Sequence, residues 1–393
     1  MTTPAHVRIG VIGVGTMGSH HVELLLNKKV PRADLQAVCD VDPERIAKYS
    51  TVRAFTDSRQ LIRSGLVDAV IVATPHFDHT TIGIDALENG LHLLTEKPIS
   101  VHKADCEKLI DAYKKRPKKS QLFGAVFQVR TEPAFIKVHQ LIQSGELGEI
   151  RRINWIQTDY YRTEAYYASG GWRATWRGEG GGVLTNQCPH TLDLMQWLFG
   201  LPSKVRAFCG MGRWHNIEVE DQVSAYLEYP NGATGVFVAT TGEAPGTNRL
   251  EIAAENGKVV VENGKITWTK NVMPMTEFSK TTTERFARPE VWNIDIPAHG
   301  EALRHLGIIQ NFCDAVLDGK PLIAPAVEGI HSVELGNAMV LSSILDKTLE
   351  LPLDSAMVEK QYQKLIRESK FEKKKVAKVA KAAGGDFEKS IHR

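Results

Sequence analysis

Two patterns of apolar residues divide the chain. Up to about residue 125, short apolar runs alternate with segments of helical periodicity, such as 16–27 and 103–114. Continuous apolar runs that are bounded by turns and separated by helices are typical of a parallel sheet buried on both faces. We therefore predict an α/β domain with a doubly wound parallel sheet over residues 1–128. Its predicted strands are 7–14, 35–39, 68–73, 91–94 and 122–127.

Beyond about residue 130, the strands instead alternate polar and apolar positions. This alternation is typical of antiparallel strands with one buried and one exposed face. Asn-Gly pairs at 231–232, 256–257 and 263–264 lie between such strands and favour tight hairpins. We predict a second, α+β domain over residues 129–355, with an open, mainly antiparallel sheet. Its predicted strands are 150–159, 222–228, 234–240, 249–253 and 258–261, and its predicted helices are 133–144, 302–317 and 327–345.

The remaining residues, 356–393, are predicted to form a helical tail that becomes rich in lysine from about residue 370. One interpretation is a basic arm that contacts an anionic partner or a neighbouring subunit. The other is a solvated, frayed end, which the scarcity of bulky apolar residues favours.

Composition and charge exclude several classes of protein. Of the 393 residues, 42% are hydrophobic and 24% are charged, a balance typical of a globular protein. The formal charge of +2 gives no overall field for binding nucleic acid or an acidic membrane. No apolar run approaches the roughly 20 residues that span a bilayer, and residues 1–6 lack the charged start of a secretion signal. The five cysteines are scattered without a CxxC pair, so we expect a reduced, cytoplasmic protein without disulfides or structural zinc.

A glycine-rich turn follows the first predicted strand and opens a helix. Its GxGxxG motif is formed by Gly13, Gly15 and Gly18, with Thr16 and Met17 between the last two. Gly13 permits a tight turn, Gly15 lets a pyrophosphate approach the backbone, and Gly18 lets the helix pack on the strand. The free N–H groups at the start of the helix attract an anion. The motif predicts a dinucleotide site; the alternative is an ordinary glycine turn.

Asp40 lies at the end of the second predicted strand. A carboxylate there accepts hydrogen bonds from both ribose hydroxyls and repels a 2′-phosphate, which favours NAD over NADP. Arg45 lies nearby in sequence and could neutralise such a phosphate. Capping of the next helix is the alternative role for Asp40. We expect NAD as the cofactor, with NADP less favoured.

Two further segments carry candidate chemistry. Lys97 precedes Pro98 at the end of a predicted strand, where it could stabilise negative charge on a substrate oxygen; a solvated turn lysine is the alternative. His190 follows three glycines at the start of a helix, with Asp193 on the adjacent turn. This histidine suits a general base that removes a hydroxyl proton as hydride leaves the carbon. A helix-start histidine bonded to backbone is the alternative.

Aromatic residues and arginines between these segments suit a polyhydroxylated ring, because apolar C–H faces stack while hydroxyls find polar partners. A core or dimer-contact role competes with this interpretation. The candidate residues for sugar contact are Tyr161, Trp172, Arg173 and Trp176.

His76 and His79 have metal-like spacing without an evident third ligand. We therefore expect no metal and favour helix capping and packing at the cofactor rim for these two histidines.

Together these motifs resemble the Gfo/Idh/MocA oxidoreductases, the glucose–fructose oxidoreductase and inositol dehydrogenase family. The resemblance covers nearly all of residues 7–350 and includes the segments 73–75, 96–98 and 145–150 in the family's order. It implies a Rossmann NAD-binding domain, followed by a domain that shapes the substrate pocket and often an oligomer interface. The implied chemistry is reversible NAD(P)-dependent oxidation of a secondary alcohol on a sugar or polyol, by a dimer or tetramer.

The resemblance also implies roles for individual residues. Lys97 would be the catalytic lysine and His190 the acid/base, while Asn186 stands where many relatives carry Asp and would orient a hydroxyl. The expected cofactor contacts are Gly13, Gly15, Thr16, Met17, Gly18, Asp40, Arg45, Ala73, Thr74, Pro75, His79, Glu96 and Lys97. The expected substrate contacts are Lys97, Arg130, Tyr161, Trp172, Arg173, Trp176, Asn186, His190 and Asp193.

The asparagine at position 186 is similar to the pattern in branches that act on pyranosides and anhydrosugars, such as levoglucosan dehydrogenase or C3-oxidising glycoside dehydrogenases. Two other functions stay open. One is NAD-dependent glycoside cleavage, in which transient oxidation at C3 permits elimination and the hydride then returns. The other is a non-catalytic NAD-binding regulator.

Overall fold

The computed structural model describes residues 6–373, so most of the predicted lysine-rich segment, residues 374–393, lies outside the described residues. Strands and helices alternate through the first domain. Its elements are β1 (Val7–Ile12), α1 (Thr16–Leu26), β2 (Ala33–Cys39), α2 (Pro43–Ile46), β3 (Arg53–Phe55), α3 (Ser58–Ile62), β4 (Ala69–Val72), α4 (His76–Glu88), β5 (His92–Thr95), α5 (Lys103–Lys114) and β6 (Phe123–Ala125).

All six strands of this domain pair in parallel, in the order β3-β2-β1-β4-β5-β6. The central strands β1 and β4 are almost entirely buried, as a sheet covered on both faces requires. The predicted doubly wound α/β fold is confirmed. The strand order reverses between β1 and β4, and ligands of such sheets bind beyond the carboxyl ends of the strands at this reversal.

The second domain follows a 3₁₀ turn at Gln128–Thr131. Its elements are α6 (Pro133–Gln143), β7 (Ile150–Gln157), α7 (Glu164–Ala168), α8 (Val183–Asn186), α9 (Pro189–Phe199), β8 (Lys204–Met211), β9 (Glu220–Glu228), β10 (Thr234–Thr240), β11 (Asn248–Ala254), β12 (Gly257–Glu262), β13 (Lys265–Asn271), α10 (Met275–Thr281), β14 (Val291–Ile296), α11 (Arg304–Asp318), α12 (Gly329–Ile344), β15 (Leu349–Glu350) and α13 (Ser355–Glu368).

A nine-stranded sheet forms the centre of this domain, in the order β14-β13-β12-β11-β7-β10-β9-β8-β15. Neighbouring strands are antiparallel except β7 and β10, which run parallel, so the predicted mainly antiparallel sheet is confirmed. The three Asn-Gly pairs lie at hairpins, as predicted. In the last of them, Asn263 and Gly264 both have positive φ, 52° and 72°, as a type I′ turn requires. Strands β8, β13, β14 and β15 are additional to the predicted ones.

Each sheet has its own hydrophobic core, but the chain crosses between the two cores late in the sequence. Phe312 of α11 packs in the core of the first domain, and Arg32 pairs with Asp314 of the same helix. Val358 and Tyr362 of α13 pack in the second core, so this helix belongs to the fold. The domain limits at residues 128 and 355 stay predictions.

Among residues 6–373, no helix combines the length and the apolar character needed to cross a membrane. All five cysteines fall within this range and carry free thiols.

Candidate functional site

The glycine turn lies between β1 and α1, where the strand order reverses. Gly13 has a φ of +86°, and an added Cβ would lie 2.7 Å from the carbonyl carbon of Ala73. A Cβ on Gly18 would lie 1.7 Å from the oxygen of Gly13, so neither glycine tolerates a side chain. At Gly15, the nearest atom to an added Cβ is Nη1 of Arg45, at 3.9 Å. The start of α1 therefore faces open space.

Asp40 is held at the end of β2 by backbone groups. Its Oδ2 accepts a hydrogen bond from the backbone N–H of Val14 at 2.7 Å, and its Oδ1 accepts one from Asp42 at 3.0 Å. Nη1 of Arg45 lies 3.6 Å from Oδ2, and the arginine side chain is half-exposed. The carboxylate and the guanidinium predicted to select the cofactor are thus neighbours.

This turn opens into a cleft of about 3130 Å³ that runs from the first domain into the second. The predicted cofactor contacts line the cleft, except Gly18, which lies beneath the turn. Gly15, at the start of α1, supplies no side-chain cap, which leaves the first N–H groups of the helix for a ligand. Oγ1 of Thr74 and Oε1 of Gln128 are buried with no hydrogen-bond partner in the described part of the chain. A glycine cradle, an anion-binding helix end and unpaired polar atoms fit a bound dinucleotide.

Two of the predicted cofactor contacts also hold their neighbours. The ring nitrogens of His79 lie 2.8 Å from the oxygen of Pro98 and 2.9 Å from that of Thr74, which ties the turns after β4 and β5 together. Oε1 of Glu96 lies 2.8 Å from Nε2 of His21 on α1. Burial opposes ionisation of this carboxyl, but the hydrogen bond and charge of His21, together with the charges of His305 and Lys97, outweigh burial and lower the pKa of Glu96. The acidic side chain next to Lys97 is therefore ionised.

Lys97 and His190 come from different domains and line the same cleft. The Lys97 ammonium, beyond the end of β5, donates a hydrogen bond to the backbone oxygen of Asn186 at 2.9 Å. His190 lies in the first turn of α9, and its Nε2 is 2.9 Å from the side-chain nitrogen of Gln128. The fold therefore brings an ammonium group and an imidazole to one wall of the cleft.

Burial changes the proton affinity of both groups. Burial, assisted by the charge of Lys97, lowers the pKa of His190 well below 6.5, so the imidazole is neutral at neutral pH. Burial also lowers the pKa of Lys97 from 10.5, although the charges of Glu96 and Glu179 oppose the shift. The cleft thus contains a neutral base beside a lysine that releases its proton more readily than a free lysine.

Glu179 is a site residue that we did not predict. Its buried carboxylate accepts hydrogen bonds from the side-chain amide of Asn186 and from the backbone N–H of Ala174. Burial raises the pKa of Glu179. The signal in the sequence is an acidic residue inside a glycine-rich run, directly before the three glycines. Gln128 was also missed, although it follows β6 at the carboxyl edge of the sheet, where ligands bind.

Aromatic rings and arginines of the second domain form one wall of the cleft. The Arg173 guanidinium lies 4.6 Å from the ring centroids of both Tyr166 and Trp172, and it donates a hydrogen bond to the Tyr166 hydroxyl at 3.0 Å. Arg162 lies 5.1 Å from the Tyr166 ring. Trp172 in turn contacts the ring of His76 on α4, with centroids 5.6 Å apart. This wall joins the two domains and offers flat apolar surfaces beside polar donors.

Two predicted substrate contacts, Arg130 and Asp193, do not line the cleft. Their side chains are each 1% exposed and form two hydrogen bonds with each other, at 2.7 and 2.8 Å. Arg130 also pairs with Glu328 at 2.7 Å. Four of the five N–H groups of Arg130 bond to Asp193, Glu328 and the backbone oxygen of Ile323, so this pair is engaged inside the second domain and its direct contact with substrate stays a prediction.

Trp176 and Tyr161 also lie outside the cleft lining. The Trp176 ring is buried edge-on against Tyr362 of α13, with centroids 6.2 Å apart. Tyr161 is 41% exposed, whereas its neighbours Tyr160 and Arg162 line the cleft. Adjacent side chains of a non-helical segment point in different directions, so the segment is placed as expected but the tyrosine that faces the cleft is Tyr160.

Comparison with known proteins agrees with this geometry. Residues 7–123 match the oxidoreductase family with an NAD-binding Rossmann fold, and residues 135–260 match the GFO/IDH/MocA C-terminal domain. The chain belongs to the GFO/IDH/MocA oxidoreductase family. Both halves of the cleft thus come from domains of this family, and the predicted resemblance is confirmed.

Relatives within the GFO/IDH/MocA family include inositol dehydrogenases. The chain is 28% identical to inositol 2-dehydrogenase of Corynebacterium glutamicum over 198 residues, which cover 49% of this chain and 54% of that protein. It is 24% identical to myo-inositol 2-dehydrogenase of Thermotoga maritima over 271 residues, 65% of this chain and 75% of that one. The chain thus spans about half the length of the first of these curated relatives.

Solved structures of the same fold include the WlbA dehydrogenase of Chromobacterium violaceum in complex with NADH and UDP-GlcNAcA. That match has a TM-score of 0.76 and 27% identity, and covers 90% of this chain and 98% of the other. Levoglucosan dehydrogenase in complex with NADH and levoglucosan matches with a TM-score of 0.73 and 21% identity over 88% of this chain and all of the other. At that identity the second likeness shows the fold alone.

Proposed function

We propose that this GFO/IDH/MocA protein is an NAD-dependent dehydrogenase. It reversibly oxidises a secondary hydroxyl of a sugar, glycoside, anhydrosugar or cyclitol to the ketone. The observation that carries the proposal is that Lys97 and His190, one from each domain, line the cleft that begins at the glycine turn. The wall of Trp172 and Tyr166 suits the C–H faces of a ring. Similarity to inositol dehydrogenases supports the class of substrate.

His190 is placed to act as the base. The side-chain nitrogen of Gln128 donates to its Nε2, and a substrate hydroxyl would replace this amide as the donor. Because the imidazole is neutral, it accepts the hydroxyl proton. The Lys97 ammonium stabilises the negative charge that develops on the same oxygen. Bound NAD⁺ supplies the acceptor for the hydride that leaves the carbon.

Asn186 and Glu179 hold this arrangement in place. The backbone oxygen of Asn186 accepts a hydrogen bond from Lys97, while its side chain donates to Glu179. An amide does not exchange protons as the aspartate of many relatives would. Asn186 therefore acts by orientation, and proton transfer falls to His190.

The direct test mixes the purified protein with NAD⁺ and a panel of pyranosides, anhydrosugars and inositols. We expect the NADH absorbance band to grow with at least one member. Deuterium placed on the reacting carbon should appear on the nicotinamide ring. If no member of the panel reacts and Lys97→Ala changes nothing in any assay, the dehydrogenase proposal fails.

Net glycoside cleavage is a second candidate function, which would use the same Lys97 and His190. Transient oxidation at C3 acidifies the neighbouring C–H, elimination releases the aglycone, water adds to the unsaturated ketone, and the hydride then returns from the cofactor. Lys97 and His190 line the cleft, whereas Glu179, which is hydrogen-bonded to Asn186, does not. Release of the aglycone with no net NADH and a tightly retained cofactor would distinguish cleavage from simple oxidation.

Cofactor preference provides one prediction. Asp40→Asn keeps one acceptor oxygen for the N–H of Val14 and offers the ribose a donor in place of the second oxygen, but it removes the charge that repels a 2′-phosphate. With Arg45 nearby, we expect the preference for NAD⁺ over NADP⁺ to fall about tenfold, the size of one charged contact. Titration calorimetry with both cofactors measures this ratio. An unchanged ratio would mean that Asp40 serves the turn and not the ribose.

We also propose that the chain assembles through the exposed face of its second sheet. Phe208, Ile156, Tyr226 and Val236 are 38–63% exposed on adjacent strands β8, β7, β9 and β10. An apolar patch of this kind marks an interface.

Phe208→Glu is expected to weaken self-association roughly 100-fold, because a charge would be buried within the contact. Phe286→Glu is the matched control, since Phe286 is 94% exposed and lies outside the sheet. Light scattering coupled to size-exclusion chromatography measures the mass of both variants. A monomeric wild type, or an unchanged mass for Phe208→Glu, would contradict this interface.

A further inference from the structure

The chain that follows α13 returns to the substrate side of the cleft. The Lys373 ammonium donates hydrogen bonds to two backbone oxygens, those of Gly170 and of Arg173, the second at 3.0 Å. These oxygens belong to residues 169–179, here called the substrate loop, which carries Trp172 and Arg173 to the cleft. A side chain about 200 residues away in sequence thus fastens the loop by its backbone.

A second contact fastens the same loop. The Ser369 hydroxyl donates to Oε2 of Glu218, and Oε1 of that carboxylate accepts the backbone N–H of Trp176 at 2.9 Å. Glu218 therefore joins the loop to the segment after α13. The two anchors lie on either side of Ala174, so they fix both ends of the part that faces the cleft.

The substrate loop has little regular structure of its own. It contains Gly170, Gly171 and Gly178, and Ala174 has a φ of +52°, a conformation that L-residues rarely adopt. Its own hydrogen bonds are short-range, such as that from the Thr175 hydroxyl to the oxygen of Trp172. Glycine-rich segments lose much conformational entropy on ordering, so external contacts decide how well the loop is fixed.

We propose that residues 369–373 are a latch that positions the substrate loop, and that Lys373 is a positioning residue for substrate binding. The latch touches neither the glycine turn nor Lys97 and His190. Loss of the latch should therefore lower the affinity for the sugar and leave the affinity for NAD⁺ unchanged. The part that concerns sugar affinity rests on the proposed dehydrogenase function, but the ordering of the loop does not.

The test uses the full-length protein with NAD⁺ bound. In Lys373→Met, amide hydrogen exchange across residues 170–179 should be about tenfold faster, the size of one net charged hydrogen bond. The KM for the sugar found with the panel should rise by a similar factor, while the KM for NAD⁺ and the melting temperature stay unchanged. Lys373→Arg should bring both the exchange rate of the loop and the KM for the sugar most of the way back to the wild-type values. The arginine guanidinium can reach the same carbonyl oxygens.

Lys370→Met is the matched control, since Lys370 is exposed and makes no side-chain hydrogen bond or ion pair within residues 6–373. Wild-type exchange in Lys373→Met would overturn the latch, whether or not a substrate is known. A parallel rise in both KM values would also overturn it, because that pattern indicates general destabilisation. If no sugar reacts but exchange increases as expected, the dehydrogenase proposal fails and the latch stands.

Discussion

Replacing Lys97 by methionine is expected to lower kcat for the oxidation of the substrate about 1,000-fold. Methionine keeps the length and the apolar stem of the side chain but removes the ammonium. The negative charge that develops on the substrate oxygen then loses its stabilising cation inside a buried site, where water does not replace it. The backbone oxygen of Asn186, a half-buried residue, also loses its donor. Because the charge on the substrate oxygen develops only in the transition state, kcat should fall more than substrate affinity.

Steady-state kinetics and calorimetry with NAD⁺ separate the two effects. The affinity for NAD⁺ should change by no more than roughly threefold, because the glycine turn and Asp40 are untouched. Lys115→Met, at an exposed position just after α5, is the control for loss of a lysine far from the cleft. A kcat within about tenfold of wild type would remove Lys97 from the chemistry. Equal losses in kcat and in NAD⁺ affinity would instead make it a cofactor ligand.

The two sheets could be predicted because their patterns are local. Five of the six strands of the first domain are short apolar runs, and burial on both faces is what such a run requires. The Asn-Gly pairs fixed three hairpins of the second sheet for the same reason. The edge strand β3 is short and largely exposed, and it was not predicted. The parallel contact between β7 and β10 escaped prediction because the two strands are far apart in sequence. The same holds for α11, which packs on the first core although it follows the second sheet.

The residues of the candidate site could likewise be predicted where their signal is local in the sequence, and could not where it depends on a distant partner. Asp40, Lys97 and His190 stand out because each follows a strand or a glycine run, and the fold brings these ends to one cleft. Glu179 acts through Asn186 and Ala174, contacts that only the folded chain makes. The pairing of Arg130 escaped prediction because its partner Asp193 is 63 residues away, and a motif does not say whether a charged residue is already paired.

Replacing His190 by asparagine is expected to lower kcat/KM for oxidation about 100- to 1,000-fold, the usual contribution of a positioned base. Asparagine retains a polar side chain beside Gln128 but does not accept a proton at neutral pH. Binding of NAD⁺ should persist, since it depends on the first domain. A loss below about tenfold would mean that another group removes the proton.

The pH dependence of the wild-type oxidation rate tests the roles of His190 and Lys97, because the pKa shifts of these two residues set where the rate declines. Oxidation needs a neutral His190, and burial places its pKa well below 6.5, so the rate should hold constant as the pH falls to 6.5 and decline only in more acidic solution. Oxidation also needs a protonated Lys97, and burial lowers its pKa from 10.5, so the alkaline decline should begin below that value. His190→Asn should abolish the acidic limb of the profile and keep the alkaline limb. Lys97→Met should abolish the alkaline limb and keep the acidic limb. Profiles of kcat/KM against pH for the three proteins decide the assignment. An acidic limb that survives in His190→Asn would assign the base to a different residue.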